Sequence, residues 1–250
     1  MFFFKRSTIV VDSFTTHRSV HELYSIQPSI QFFPEEIKQL QNTYVEEDPN
    51  TKIRYSVPTV RKCLGMIDLY KVGHIIPMWT DFFCEPKRSL TNECAPGMMQ
   101  NPFMFSMHDN RQFPGLFLDH IHLKFHGVWA IRDKSGTKFH WTSPLWNQSK
   151  HYNNFLLLPA VVSYEHQSQT NVNFFINKKS DDFLLKSGTP LVHLTPLTDK
   201  KVVFKNHLVD MKEYQKIGIP DDYGSFRPDR YKRWVREKDK QVKCPFGFGK

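Results

Sequence analysis

Four residues in one short run carry the strongest chemical potential in this chain. In Asp119-His120-Ile121-His122-Leu123-Lys124-Phe125-His126, the alternation of an extended strand puts His120, His122, Lys124 and His126 on one face. Two imidazoles two residues apart on a strand reach one metal ion. With His140, Glu165, His166 or His193 from neighbouring strands they complete a cupin-like or facial-triad centre for a divalent metal, as in an oxygenase or isomerase. The expected ligand set is His120, His122, His126 and His193. The same alternation also describes a polar outer face, with Ile121, Leu123 and Phe125 turned to the core. A cupin motif places a glutamate near the position that His126 occupies, so both readings stand.

A second candidate lies at the C-terminal end. Residues 201 to 250 hold thirteen basic and seven acidic side chains, within a formal net charge of +9. Arg227, Arg230, Lys232, Arg233, Trp234 and Arg236, with Tyr231 among them, interleave cations with aromatic rings, the pattern that tracks a nucleic-acid backbone or another polyanion. No nucleophile elbow, phosphate-binding loop, dinucleotide fingerprint or spaced carboxylate pair is present. Cys63, Cys84, Cys94 and Cys244 form no C-x-x-C pair and read as reduced thiols. In an oxidising setting Cys84 and Cys94 are the two able to close a loop.

The elements that must position these groups are mostly strands. The chain has 250 residues, 40% of them apolar, with 22 Phe, which excludes disorder and suits β-structure. Strand-like runs recur between turn signals at 116 to 126, 128 to 133, 137 to 142, 155 to 164, 171 to 177, 182 to 186, 190 to 195 and 201 to 205. This spacing predicts a mainly β, α+β chain built on an antiparallel sandwich or barrel. Before it stand a strand over Thr8 to Phe14, a short helix after Pro34 and an exposed loop at Glu46-Glu47-Asp48-Pro49-Asn50. A helix from Pro58 to Gly73 follows, its stripe being Val60, Cys63, Leu64, Ile67 and Tyr70, and leads into a buried strand in which Pro77 demands an edge or a bulge. Leu184 to Leu197, turning at Gly188, reads as a hairpin or corner. Residues 86 to 115 form a Pro-rich excursion, and a charged helix is expected over 229 to 240. The domain reading is one β-rich domain with an N-terminal α/β layer over 1–205 and a basic extension over 206–250.

No apolar run approaches the roughly 20 residues that a helix needs to cross a bilayer. Met1-Phe2-Phe3-Phe4-Lys5-Arg6 reverses the order of a secretory signal, so neither secretion nor a membrane is expected.

Several segments in one order carry a family resemblance. They are Val10 to Thr15, Phe33-Pro34-Glu35-Glu36, Thr59 to Gly65, Gly73 to Asp81, Lys124-Phe125 before Trp129, and Gly188-Thr189-Pro190-Leu191 ending in Thr195-Pro196. The set resembles proteins of unassigned activity encoded by tailed phages, marine myovirus-like ones especially, and more distantly a bacterial domain of unknown function. The C-terminal half is also similar to the dUTPase-type β-clip, through Asn171-Val172-Asn173-Phe174 and Gly188 to Leu194. That resemblance implies a homo-oligomer, a trimer in particular. Where the β-clip enzymes carry a catalytic aspartate this chain reads Val161-Val162-Ser163-Tyr164-Glu165, and their Arg-Ser-Gly phosphate motif has no counterpart.

The expectation is therefore a phage protein that works without catalysis, as a binding, accessory or minor structural component with a viral or host protein partner. Its place would be the host cytoplasm or the virion, and no cofactor is expected. The alternatives are a divalent-metal enzyme built on the strand histidines and a nucleotide- or nucleic-acid-binding module.

Overall fold

Branched and aromatic residues crowd the runs that become strands here, because such side chains pack well on a pleated, half-buried surface. The computed structural model describes residues 8–87, 105–107, 115, 117–148, 154–165 and 168–216. All of them lie in the first of two compact units, Met1–Ile219, and the second, Pro220–Lys250, lies outside the described residues. The helix expected over 229 to 240 and nearly all of the Pro-rich excursion fall outside them as well.

Sixteen strands are described, in several sheets. In the three-stranded one, β1 (Ile9–Thr15) lies between β16 (Val202–Leu208) and β9 (Ala130–Arg132). The β1 and β16 pair is parallel, the exception among the described strand pairs. Strand β16 runs three residues beyond 205, the boundary expected from sequence.

A five-stranded sheet follows the order β12 (Ala160–Ser163), β10 (Lys138–Thr142), β15 (Pro190–Pro196), β5 (His74–Pro77) and β2 (Gln27–Pro28). A four-stranded sheet follows the order β11 (Phe155–Leu157), β13 (Val172–Asn177), β8 (His120–Phe125) and β7 (Phe105–Met107). Two ribbons complete the set: β6 (Phe82–Cys84) with β14 (Phe183–Leu185), and β3 (Thr43–Glu47) with β4 (Arg54–Pro58). The architecture is that of layered antiparallel sheets, a β-sandwich and no closed barrel among the described residues.

One apolar core joins the inner faces. Ile121, Leu123 and Phe125 of β8 meet Phe174 and Ile176 of β13, Phe139 and Trp141 of β10, and Ile76 and Leu194 of the five-stranded sheet. Phe125 makes edge-to-face contacts with Phe82, Phe174 and Trp79, the arrangement that aromatic quadrupoles prefer.

Gly188, at φ +83°, lets the chain turn between β14 and β15. Those strands do not pair with each other. Strand β14 pairs with β6 and β15 with β5, so the segment is a corner where a long two-chain ribbon passes from one sheet to another. The Gly188 amide donates to the Met78 carbonyl at 2.7 Å and the Met78 amide to the Thr189 carbonyl at 2.8 Å, which holds the bend. Pro77 ends β5 where the register with β15 shifts, as its missing donor requires.

The helical layer is smaller than the sequence suggests. It comprises α1 (Arg18–Leu23), α2 (Glu35–Lys38) and α3 (Leu64–Val72), with α4 (Met211–Lys216) after the last strand. A 3-10 turn over Val60–Lys62 rotates the chain before α3 begins, so Cys63 and Leu64 of the expected stripe turn outward. Of that stripe Tyr70 is buried, as expected, with Met66 beside it, while Leu64 is 72% exposed. With Ile37 they form a second small core, packed against Phe33 and Val60.

Candidate functional site

The histidine face is built by the pairing of β8 with β13. Register puts His120 opposite Asn177, His122 opposite Phe175 and Lys124 opposite Asn173. His122 is only 4% exposed, because its ring lies 4.8 Å from that of Phe175. Phe117 stacks on the same Phe175 at 4.1 Å and meets the edge of His120. The solvent-facing polar strand expected from sequence is thus closed at its centre by aromatic packing. Burial also lowers the pKa of the Lys124 ammonium.

The expected metal ligands do not converge. His120, His122 and His126 belong to or adjoin β8, whereas His193 sits on β15 in the five-stranded sheet. His140 lies on β10 of that second sheet, opposite Thr195, and Glu165 lies against the Gly136 turn. His166 falls outside the described residues. Among the described residues no group of three His, Cys, Asp or Glu side chains is placed to hold a metal ion.

His193 is instead part of a buried polar contact beneath α3. It is 1% exposed, its ring lies 5.7 Å from that of Tyr70, and its Nε2 faces the α-carbon of Gly73. The Tyr70 hydroxyl donates to Asn147 Oδ1 at 2.5 Å, Asn147 Nδ2 donates to the Phe32 carbonyl, and Ser29 Oγ donates to the Tyr70 carbonyl. Burial, and the cost of charging a second imidazole beside His193, pull the His74 imidazole down to about 4. Burial also brings His193 to about 4, against a bond to the Leu69 backbone that favours the charged form. Cys84, buried and free, is pushed up to about 12 by desolvation. These are groups held neutral inside the protein.

Among the described residues, one surface groove of about 330 Å³ lies beside Phe33 and Trp146 and another of about 350 Å³ beside Gly136 and Lys138. No histidine lines either of them. The cationic candidates Arg227, Arg230, Lys232, Arg233, Trp234 and Arg236 lie outside the described residues, as do Cys94 and Cys244. Among the described residues no helix is long and apolar enough to cross a membrane.

The feature that sequence reasoning missed is the ribbon of β3 and β4. Where an exposed loop was expected, Glu46 and Glu47 end one strand and Asp48 starts a tight turn. Asp48 Oδ1 accepts the amides of Asn50 and Thr51 at 2.8 Å, which holds its carboxyl below the usual range, and Lys52 takes a φ of 60°. At the base, Thr59 donates its amide to Asn42 and its hydroxyl to Gln41, and Arg61 donates to the Leu40 carbonyl. Glu47 pairs with Arg54 across the ribbon at 3.0 Å.

Between residues 38 and 65 no residue is buried. Tyr44 is 50% exposed, Val45 70%, Ile53 64% and Tyr55 46%. A two-stranded ribbon has no core of its own, and on its own it is marginal in water. The signal was legible: Thr43-Tyr44-Val45 and Arg54-Tyr55-Ser56-Val57 are β-forming runs that flank Asp48-Pro49-Asn50, a turn sequence.

No protein-family model matches the chain, and no curated protein does.

Proposed function

We propose that this chain is a binding or minor structural protein that works without catalysis, through the ribbon of β3 and β4. The observation that carries this reading is the run from residue 38 to residue 65, in which nothing is buried although Tyr44, Val45, Ile53 and Tyr55 are apolar or aromatic. Exposed apolar groups gathered on one projection mark an interaction surface. The dispersal of the histidines over two sheets favours this reading over the metal enzyme. The phage resemblance supplies its setting: a protein partner in the virion or in the infected cell.

A variant with Tyr44, Val45 and Tyr55 all changed to Ser tests it. The account expects an unchanged midpoint of thermal unfolding, since none of the three belongs to the core, and loss of association with phage particles or with a second copy. Undiminished association by that variant overturns the reading.

A further inference from the structure

From the ribbon's own geometry we infer that its partner is a second copy of this chain, joined edge to edge through β3 about a two-fold axis at Val45. This rests on the reading of the ribbon as the working surface and adds the identity of the occupant.

The backbone bonds fix which groups point outward. The Thr59 amide donates to Asn42 and the Asp48 amide to Ile53, so even-numbered residues of β3 turn their backbone toward β4. Thr43, Val45 and Glu47 therefore direct their amides and carbonyls to the open edge. On β4 the outward set is Arg54, Ser56 and Pro58, and Pro58 has no N–H to give. Only β3 has a complete edge. It has no proline, no lysine and no register shift, and of its two acids Glu47 is paired with Arg54.

That edge is self-complementary. Antiparallel pairing centred on Val45 sets Val45 against Val45 of the second copy and Thr43 against its Glu47, with all six outward groups on each side satisfied. Tyr44 then stands across from Glu46 of the second copy on one face. No acid opposes an acid, which is the charge condition such an edge must meet. On β3 itself the apolar side chains brought to the contact are Tyr44 and Val45, 50% and 70% exposed. A two-fold edge closes at two copies. The assembly is a dimer, in contrast to the trimer that the β-clip resemblance implies.

Sedimentation of the full chain tests this with matched proline variants. Val45→Pro removes an outward donor from β3, and Ser56→Pro removes one from the opposite edge. The parent and Ser56→Pro are expected to sediment as dimers, and Val45→Pro to weaken association by about tenfold or more. A charge exchange guards against misfolding: Val45→Lys and Val45→Glu are each expected to be monomeric, and their equimolar mixture dimeric. Equal behaviour of the two proline variants overturns the inference, as does a mixture that stays monomeric. A monomeric parent that still loses particle binding in the triple serine variant overturns the second copy as occupant and leaves the ribbon as the working surface.

Discussion

Gly73 lies so close under His193 that a Cβ added to it would stand 2.0 Å from Nε2 and 2.6 Å from Cδ2. The backbone of Gly73 is extended, at φ −92°, so the requirement is for space alone. Here the end of α3 turns into β5 beneath the imidazole. Gly73→Ala is expected to cost about 1 to 3 kcal/mol in urea unfolding, since an imidazole pinned under α3 cannot retreat. In a His193→Ala background the same change is expected to cost much less. Equal costs in the two backgrounds would show that the contact is not what excludes a side chain.

The imidazoles of His74 and His193 give stability a defined pH dependence. Both have folded values near 4, against 6.5 for the free group. As pH falls from 6.5, the unfolded chain takes up protons that the folded protein refuses, so stability declines from pH 6.5 to 4 and this contribution levels off below. The loss is at most about 3 kcal/mol per imidazole. Urea titrations at pH 7 and pH 5 should show it, with a smaller difference in His74→Asn. A stability that is flat across that window would contradict the buried, neutral assignment.

Asp133 is 2% exposed and anchors the turn between β9 and β10. Its carboxylate accepts the amides of Ser135 and Thr137 at 2.9 and 2.7 Å and the Ser135 hydroxyl at 2.8 Å. Asp133→Ala leaves those donors without an acceptor and is expected to cost about 2 to 4 kcal/mol. Thermal unfolding measures it, and a loss below that of an ordinary surface substitution would contradict the role.

His122 is held by Phe175 in the described structure, so its removal acts on packing. His122→Ala is expected to cost about 1 to 3 kcal/mol. A chelator is expected to leave the melting temperature of the parent unchanged. A fall in the chelated parent that is absent from a His120→Ala, His122→Ala variant would restore the metal-site reading.

Much of the strand layout was legible because it rests on local pattern. Alternation at Ile121, Leu123 and Phe125 chose the buried face of β8 correctly, and Gly188 marked a true turn. What failed was decided by contacts distant in sequence. That β1 pairs in parallel with β16, or that His193 belongs to a different sheet from His122, depends on partners that no window of the chain contains. The first turn of the expected helix failed for a local reason, the 3-10 turn at Val60–Lys62, while Tyr70 is buried as expected. The ribbon was missed because the acids at its tip outweighed the β-forming runs on either side.

Residue-resolved amide hydrogen exchange tests the central claim most directly, since it reports whether the ribbon is covered in solution. The Val45 amide, which points away from β4, is expected to exchange slowly in the associated parent protein and fast in Val45→Lys, while the Ser56 amide exchanges fast in both. A Val45 amide that exchanges as fast as that of Ser56 in the parent, at every concentration and with particles present, would contradict the ribbon as the working surface.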